Sequence, residues 1–273
     1  MTLFIKKLLT GIKILFREGP TAFFQALKRN LSVSNKTDEI NLVYKILQAD
    51  VKTGLMIDVG AHQGHTLLPF AERKWKIFAF EPDSANRKVL TDRFGEMQNI
   101  IIDPRALSDH AQAKVTLFKS EVSTGISSLS PFHSSHSPAE EVNITTLEIF
   151  LKEKNLINQN IDFLKIDTEG HDLFVLKGFP WDSQSPRVII CEFEDAKTSL
   201  LGYNFKDISQ FLDEKGYKQI ISEWHPIKSY GSSHRWRCFL EYPCELTDKN
   251  SWGNIIAVKE DDIYQSLLQL CNK

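Results

Sequence analysis

The chain has no Cys-x-x-Cys pair and no histidine pair at metal-ligand spacing, so a zinc finger or similar sequence-local metal site is excluded. Its four cysteines are Cys191, Cys238, Cys244 and Cys271. Cys191 lies in an apolar run and reads as a small core residue; Cys238 and Cys244 are near enough to approach each other, but nothing requires a disulfide. A secretory signal is also lacking, and a reducing, cytoplasmic home is the simplest expectation. Charge of one sign is missing too. Lys and Arg number 33 against 35 Asp and Glu, a formal net charge of -2, which offers no general attraction to nucleic acid, and no nucleic-acid partner is expected. Internal repeats are absent, and so is a G-x-G-x-x-G dinucleotide fingerprint.

What is present suits a folded enzyme-sized domain. With 273 residues, 42% of them hydrophobic, the chain can bury a full core and is not mostly disordered. The N-terminus stands apart. Leu8, Ile12, Leu15 and Phe16 recur at helical spacing beside Lys6, Lys7, Lys13 and Arg17, and Lys13 keeps the longest apolar stretch far short of the roughly 18 residues of a membrane span. Gly19-Pro20 breaks the pattern, and Thr21 can cap a second helix over 22–31. Two readings stand: a helical pair packed on the domain or a partner, or a basic amphipathic surface through which residues 1–30 contact the inner face of a membrane peripherally. The polar stretch 30–37 is the linker, giving an extension over 1–37 and a domain over 38–273.

Within that domain, a helix is expected over 38–48. Apolar runs at 55–59, 77–80, 100–102, 163–166 and 188–193 then alternate with helical patterns at 66–73, 84–94, 147–154, 174–177 and 205–216. Strand–helix alternation with near-continuous apolar strands predicts an α/β fold whose mostly parallel sheet carries helices on both faces. Runs at 217–221, 236–242 and 255–258 are closely spaced and read as antiparallel additions at one edge. Residues 120–141 (SEVSTGISSLSPFHSSHSPAEE) and 222–235 (SEWHPIKSYGSSHR) lack periodicity and are expected to be long loops on the substrate side.

The chemistry concentrates at strand ends. Met56-Ile57-Asp58-Val59-Gly60-Ala61-His62-Gln63-Gly64 is an apolar strand running into a glycine turn, which lets a ligand approach the backbone. Asp58, two residues before the first glycine, suits a cationic ligand better than a pyrophosphate; adenosylmethionine carries a sulfonium and an ammonium. About 20 residues on, Ile77-Phe78-Ala79-Phe80-Glu81-Pro82 ends in an acid where Rossmann-type sites bind ribose hydroxyls. The third signal, Phe163-Leu164-Lys165-Ile166-Asp167-Thr168-Glu169-Gly170-His171-Asp172, ends a strand in alternating carboxylates, and the fourth places Glu192 and Glu194 at the end of another. In this topology the carboxyl ends of the strands form the ligand crevice, so these acids should face it.

With these pieces assembled, the chain resembles the FkbM family of methyltransferases. The match is carried by DVGAHQG (58–64), FAFEP (78–82), ALSD (106–109), FLKIDTEGHD (163–172) and VIICEFE (188–194), with weaker echoes in GISSL (125–129) and TTLEIFL (145–151). The resemblance implies a Rossmann-like class I methyltransferase fold of seven core strands, the last antiparallel, and S-adenosylmethionine as cofactor. It implies that Asp58, Gly60, Ala61 and Gly64 line the methionine and ribose part of the cofactor. Glu81, followed by Pro82, would hold the ribose hydroxyls, with Ala106 and Leu107 near the adenine. His62 stands where the general methyltransferase turn has its central glycine.

Methyl transfer from a sulfonium is an in-line displacement in which positioning is the protein's main contribution, up to about 7–11 kcal/mol. A base adds about 10²–10⁴-fold for a hydroxyl acceptor. Asp167 or Glu169 is the expected base, with His171 and His225 in reserve. Asp167, Glu169 and Glu192 are alternatively a Mg²⁺ set that would orient two hydroxyls. The family resemblance points to O-methylation of a sugar, polysaccharide or natural-product hydroxyl, so the partner is a small-molecule or glycan acceptor. REGPTAFFQALKRNL (17–31) also resembles segments found with polysaccharide-building enzymes, and Trp224, Tyr230 and Trp236 suit stacking on a sugar ring. Two competing readings are an NAD-dependent oxidoreductase and a non-catalytic membrane-associated binding module. Oligomeric state is left open.

Overall fold

The computed structural model describes residues 38–272. The expectations for the extension, its helices, its linker and its membrane contact lie outside the described residues. Among the described residues no helix is long and apolar enough to cross a membrane.

The chain enters through α1 (Glu39–Leu47), whose N-cap Asp38 accepts a hydrogen bond from the Asn41 backbone. β1 (Leu55–Val59) runs through the glycine turn into the short α2 (Leu68–Ala71). β2 (Lys76–Phe80), α3 (Ser84–Phe94) and β3 (Ile100–Asp103) follow. β4 (Ala106–Leu107), β5 (Gln112–Ser120) and β6 (His136–Thr145) build a second, three-stranded sheet. The path returns through α4 (Leu147–Glu153) to β7 (Phe163–Ile166), α5 (Asp172–Lys177), β8 (Val188–Glu194) and the one-turn α6 (Asp195–Thr198). Last come α7 (Phe205–Glu214), β9 (Lys218–Trp224), β10 (Trp236–Glu241), β11 (Trp252–Val258) and α8 (Asp261–Cys271).

The main sheet has the order β10-β9-β11-β8-β7-β1-β2-β3. β3, β2, β1, β7 and β8 are mutually parallel, and β11 lies antiparallel between β8 and β9. This is the mostly parallel arrangement that the family resemblance implies, with one correction. Seven core strands are present, but β10 pairs antiparallel along the free edge of β9 and makes the sheet eight-stranded. β1, β7 and β8 are buried along their whole length. Successive residues go to opposite apolar layers: Ile57, Val59, Phe78, Phe80, Leu164 and Ile166 to one, Met56, Ile77, Ala79 and Phe163 to the other. Each large side chain so buried contributes about 1.5–3 kcal/mol, and both faces are covered because neither can stay wet.

Three local expectations change. Residues 120–141 are not one loop, because β5 and β6 pair antiparallel through Ser120↔His136. Their residues are mostly exposed or half-buried, and the only buried apolar side chains are Leu117, Val142 and Ile144, so they leave no apolar alternation to read. The loop at 222 is likewise shorter, since β9 continues through the buried Glu223 and Trp224. The helix expected at 66–73 contracts to one turn whose first turn contains Pro69. α8 was not visible beforehand; Ile263, Tyr264 and Leu267 dock it on the sheet.

Because the central strands are parallel, their carboxyl ends share one edge, where Gly60, Glu81 and Asp167 follow β1, β2 and β7 directly. Antiparallel β11 brings its first residue to that same edge, Trp252 pairing with Glu194. One crevice thus collects residues scattered over most of the described chain.

Candidate active site

A cavity of about 320 Å³ opens at that edge, within the roughly 300–1,000 Å³ of small-molecule sites. One end is built by the first two strand turns. Gly60 adopts φ +77°, and a Cβ there would stand 1.9 Å from the Asp167 carbonyl oxygen, so only glycine lets the β1 and β7 turns approach. The Gly60 and Ala61 amides both donate to the Phe80 carbonyl, at 3.0 and 2.9 Å. His62 is also left-handed, at φ 49°. Its amide donates to Glu81 Oε2 at 2.7 Å, and the Asp83 amide donates to Glu81 Oε1 at 2.8 Å. Glu81 is therefore aimed by the backbone while each oxygen keeps a lone pair. Burial pushes its carboxyl up to about 7, against the pull of those two amides. Ala106, Leu107 and Arg105 wall the cavity beyond it. Asp103 and Glu153 clamp the Arg105 guanidinium.

The other end belongs to the turn after β7 and to α6. Glu169 holds a left-handed backbone, φ 56°, costing on the order of 1 kcal/mol. Its carbonyl accepts from Ser128 Oγ at 2.8 Å, and the next carbonyl, of Gly170, accepts from the Tyr203 hydroxyl at 2.7 Å. Asp172 ties this turn to β8, accepting from Thr168 Oγ1 and the Glu192 amide. Lys197, on α6, is buried with its ammonium 2.6 Å from Glu169, 2.8 Å from Glu192 and 2.8 Å from Glu194. Burial raises the Glu169 carboxyl to about 7, with Lys197 lowering it and Asp167 raising it further. Burial likewise pushes Glu192 well above the carboxylate range. Phe132 and Tyr230 turn their rings to the Lys197 ammonium, and the Tyr230 hydroxyl donates to Glu194 at 3.0 Å. Both ends open into a single cavity.

The methyltransferase FkbM domain family matches residues 58–218, which include all of these turns except Tyr230 and Trp252. The chain belongs to this family. Among solved structures, this FkbM methyltransferase is similar to a precorrin-6y C5,15-methyltransferase from Geobacter metallireducens at 12% identity, with 81% of this chain and 87% of that chain covered and a TM-score of 0.42. It is similar to a methyltransferase FkbM from Methylobacillus flagellatus at 16% identity, covering 76% and 44% with a TM-score of 0.44. An rRNA methylase from Streptococcus thermophilus matches at 7% identity over 81% and 93%, with a TM-score of 0.41. None of these likenesses bears on the acceptor. Among curated proteins none matches significantly.

Of the residues expected from sequence, Gly60, His62, Glu81, Pro82, Ala106, Leu107, Asp167, Glu169, His171 and Glu192 all line the cavity of this FkbM methyltransferase. Asp58 departs from its expected place. Its carboxylate is fully buried behind the turn, 3.1 Å from Lys165 Nζ and hydrogen-bonded by Thr66 Oγ1, so its charge is already answered by the protein. Gly64 is also behind the wall: at φ +75°, its missing Cβ makes room for Leu90 and Phe94 of α3. Ala61 lies beside it, outside the lining. His171 is brought in, but burial drops its imidazole to about 4 and its charged neighbours are Asp109 and His110, in the segment after β4. Its Nδ1 is buried without a hydrogen-bond partner. His225 stays outside the lining, hydrogen-bonded to Arg235. Tyr230 reaches the cavity; Trp224 and Trp236 do not, and Trp252 takes the wall position. Lys165 and Lys197 were missed. Lys165 is a charge in an otherwise apolar strand, a signal the sequence displays; Lys197 follows Glu194 at i+3, a spacing that by itself marks no site.

Asp167, Glu169 and Glu192 can bring ligand oxygens within 4.8 Å of one another, so the donor set expected for Mg²⁺ does assemble. The Lys197 ammonium already contacts two of the three.

Proposed function

We propose that the chain transfers a methyl group from S-adenosylmethionine to a hydroxyl of a neutral sugar-containing or natural-product acceptor. The observation that carries this is the single cavity joining the Glu81 end to the Glu169–Lys197 end. The residues fit the cofactor. Glu81 offers two backbone-aimed oxygens to a pair of ribose hydroxyls, and Ala106 and Leu107 give an apolar wall that suits an adenine. Adenosylmethionine supplies a methyl carbon already activated on a sulfonium, so the chain has to orient the acceptor oxygen and receive its proton. The Glu169 side chain is only 14% exposed and poised near neutrality, as a general base should be, whereas Asp167 is 41% exposed and held by Lys165 at 3.5 Å. Tyr230 and Trp252 provide aromatic wall on which an uncharged sugar face can lie.

Calorimetric titration with adenosylmethionine, adenosylhomocysteine and NAD tests the cofactor. Glu81→Ala removes acceptors worth about 1.5–3 kcal/mol per charged hydrogen bond, so affinity should fall about 10–100-fold. No binding of either adenosyl ligand by the wild type, or tighter NAD, would remove the methyltransferase reading.

The same titration has a pH signature. Only the ionised Glu81 carboxylate can serve both amides and both hydroxyls. Its pKa in the free protein is about 7, so below that value binding must displace a proton. Affinity should weaken by about tenfold per pH unit there and level off above it. A flat profile between pH 5 and 8 would show that Glu81 does not contact the ligand.

A further inference from the structure

The strap between β5 and β6 belongs to both ends of the cavity, and it is held by the same residues that aim Glu81. Residues 123–129 all line the cavity. At the Glu81 end, Thr124 Oγ1 meets His62 Nε2 at 3.1 Å, the Thr124 carbonyl accepts from Asn86 Nδ2 at 2.9 Å, and Ser127 Oγ donates to Asp83 Oδ2 at 2.9 Å. At the other end, Ser128 Oγ donates to the Glu169 carbonyl at 2.8 Å. His62 and Asp83 are also the two residues whose amides donate to Glu81, at 2.7 and 2.8 Å. One pair of residues thus turns its backbone to the Glu81 carboxylate and its side chains to the strap. His62 does so from a left-handed backbone, φ 49°, which glycine adopts at less cost, so the ring needs a reason. Its bond to Thr124 supplies one.

We propose that His62 and Asp83 are positioning residues that make the acceptor end of the cavity depend on the cofactor. A ligand seated on Glu81 fixes their backbone, their side chains fix Thr124 and Ser127, and the strap carries that order to Ser128 and the turn after β7. This rests on the cofactor reading above. The link continues past the lining. His136 Nε2 bonds the Ile126 carbonyl at 2.8 Å while its Nδ1 accepts from the Phe132 amide at 3.2 Å, and one neutral tautomer serves both. The Phe132 and His133 rings then pack edge-on against Tyr230, in the 225–235 loop. Both loops at the acceptor end are therefore hung from the two residues that aim Glu81. Each of these bonds is worth little while water can replace it, so the free protein opens the assembly at small cost. With the cofactor seated, opening must also disturb the Glu81 contacts. The donor accordingly binds first, and the acceptor meets a finished wall.

Two hydroxyls carry the side-chain part of the link and can be removed without touching the amides on Glu81. Thr124→Val keeps the shape of the residue and loses Oγ1. Ser127→Ala loses one donor to Asp83, whose carboxylate keeps Lys119 and the Ala85 and Asn86 amides. Together they should leave adenosylhomocysteine affinity within about threefold of the wild type, as expected of sites that share no partner with the ligand. Thr124→Ser keeps the hydroxyl and should behave as the wild type.

The measurement is amide hydrogen exchange of the full-length protein with and without saturating adenosylhomocysteine, read at residues 132–136. These lie outside the cavity lining, and the Phe132, Ser135 and His136 amides are hydrogen-bonded within their own turn. In the wild type the ligand should slow their exchange by about tenfold. In the Thr124→Val/Ser127→Ala variant that slowing should vanish although the ligand still binds. Equal slowing in both proteins overturns the link. So does a loss of ligand affinity beyond the stated range, because the two hydroxyls would then be ligand contacts themselves. If the double variant does not fold, Thr124→Val alone decides against Thr124→Ser: the slowing must fall in the first and persist in the second. A wild type that binds no adenosylhomocysteine overturns the cofactor reading and takes this inference with it, whereas binding without slowing removes the inference alone.

Discussion

Glu169→Gln should lower the rate of methyl transfer by about 10²–10⁴-fold, the range for loss of a general base, while the protein stays folded and still binds adenosylmethionine. The fold should survive because this carboxylate is under strain. Its pKa rises from an ordinary 4.5 to about 7 on burial. An acid whose folded pKa lies above its unfolded value stabilises the fold less as pH rises between the two. At pH 7 and above, the neutral amide therefore removes an electrostatic penalty even as it gives up the contact with Lys197. Cofactor affinity should hold because Glu81 and the His62 amide lie at the other end of the cavity. The assay is adenosylhomocysteine release in single turnover with a neutral oligosaccharide that the wild type methylates. In the wild type the rate should also drop about tenfold per unit below pH 7 as Glu169 takes up its proton, and the variant should lack that limb. Asp167→Asn separates the two carboxylates: it should cost less, since Asp167 is the more exposed and is tethered to Lys165. If both variants kept near-full activity, the proton would have to leave by another route, and the base assignment would be wrong.

Why Glu169 was visible in the sequence and Lys197 was not comes down to what strand periodicity can report. β1, β7 and β8 are buried on both faces, so each shows as a continuous apolar run, and an acid that ends such a run is conspicuous. Glu81, Asp167, Glu169 and Glu192 stood out for that reason, and all reach the cavity. Asp58 stood out equally but lies one step inside its strand. Position 58 shares the face of Met56, the α2–α3 side of the sheet, and is paired in register with Lys165. The alternation that sorted the core therefore also held the answer for Asp58, and the glycine turn after it drew attention away. Lys197 is a different case. Its nearest partner in sequence, Glu194, predicts only an i,i+3 contact; Glu169 comes from a separate strand turn, and only the sheet order brings the two together. β5 and β6 were illegible for a third reason: their residues are mostly exposed or half-buried, and a strand with few buried side chains has no pattern to display. Trp252 reaches the wall because β11 runs antiparallel between β8 and β9, a register set by pairing across the sheet that no local window contains.

Asp58 and its partner carry the largest expected effect on stability. Lys165→Met should destabilise the protein by about 3–5 kcal/mol, the cost of leaving one member of a buried ion pair uncompensated. Asp58 is fully buried, and with Lys165 gone only Thr66 Oγ1, among the described residues, still addresses its carboxylate. Against a total stability of about 5–15 kcal/mol, that loss should show as a large fall in the urea midpoint. Adding Asp58→Asn removes the orphaned charge, so the double variant should recover much of the stability, with a coupling of about 1–3 kcal/mol in the cycle. Cofactor affinity should not recover with it. Lys165 Nζ also donates to the Gly60 carbonyl at 3.0 Å and lies 3.5 Å from Asp167, so it joins the turn after β1 to the turn after β7, whose residues Gly60 and Asp167 both line the cavity. A double variant that regains stability but binds adenosylmethionine weakly would show that this lysine does two separable things: it neutralises Asp58 for folding and holds two strand turns together for the site. Recovery of both would mean that the ion pair matters for folding alone, and that the glycine turn keeps its shape through the Phe80 carbonyl without help from Lys165.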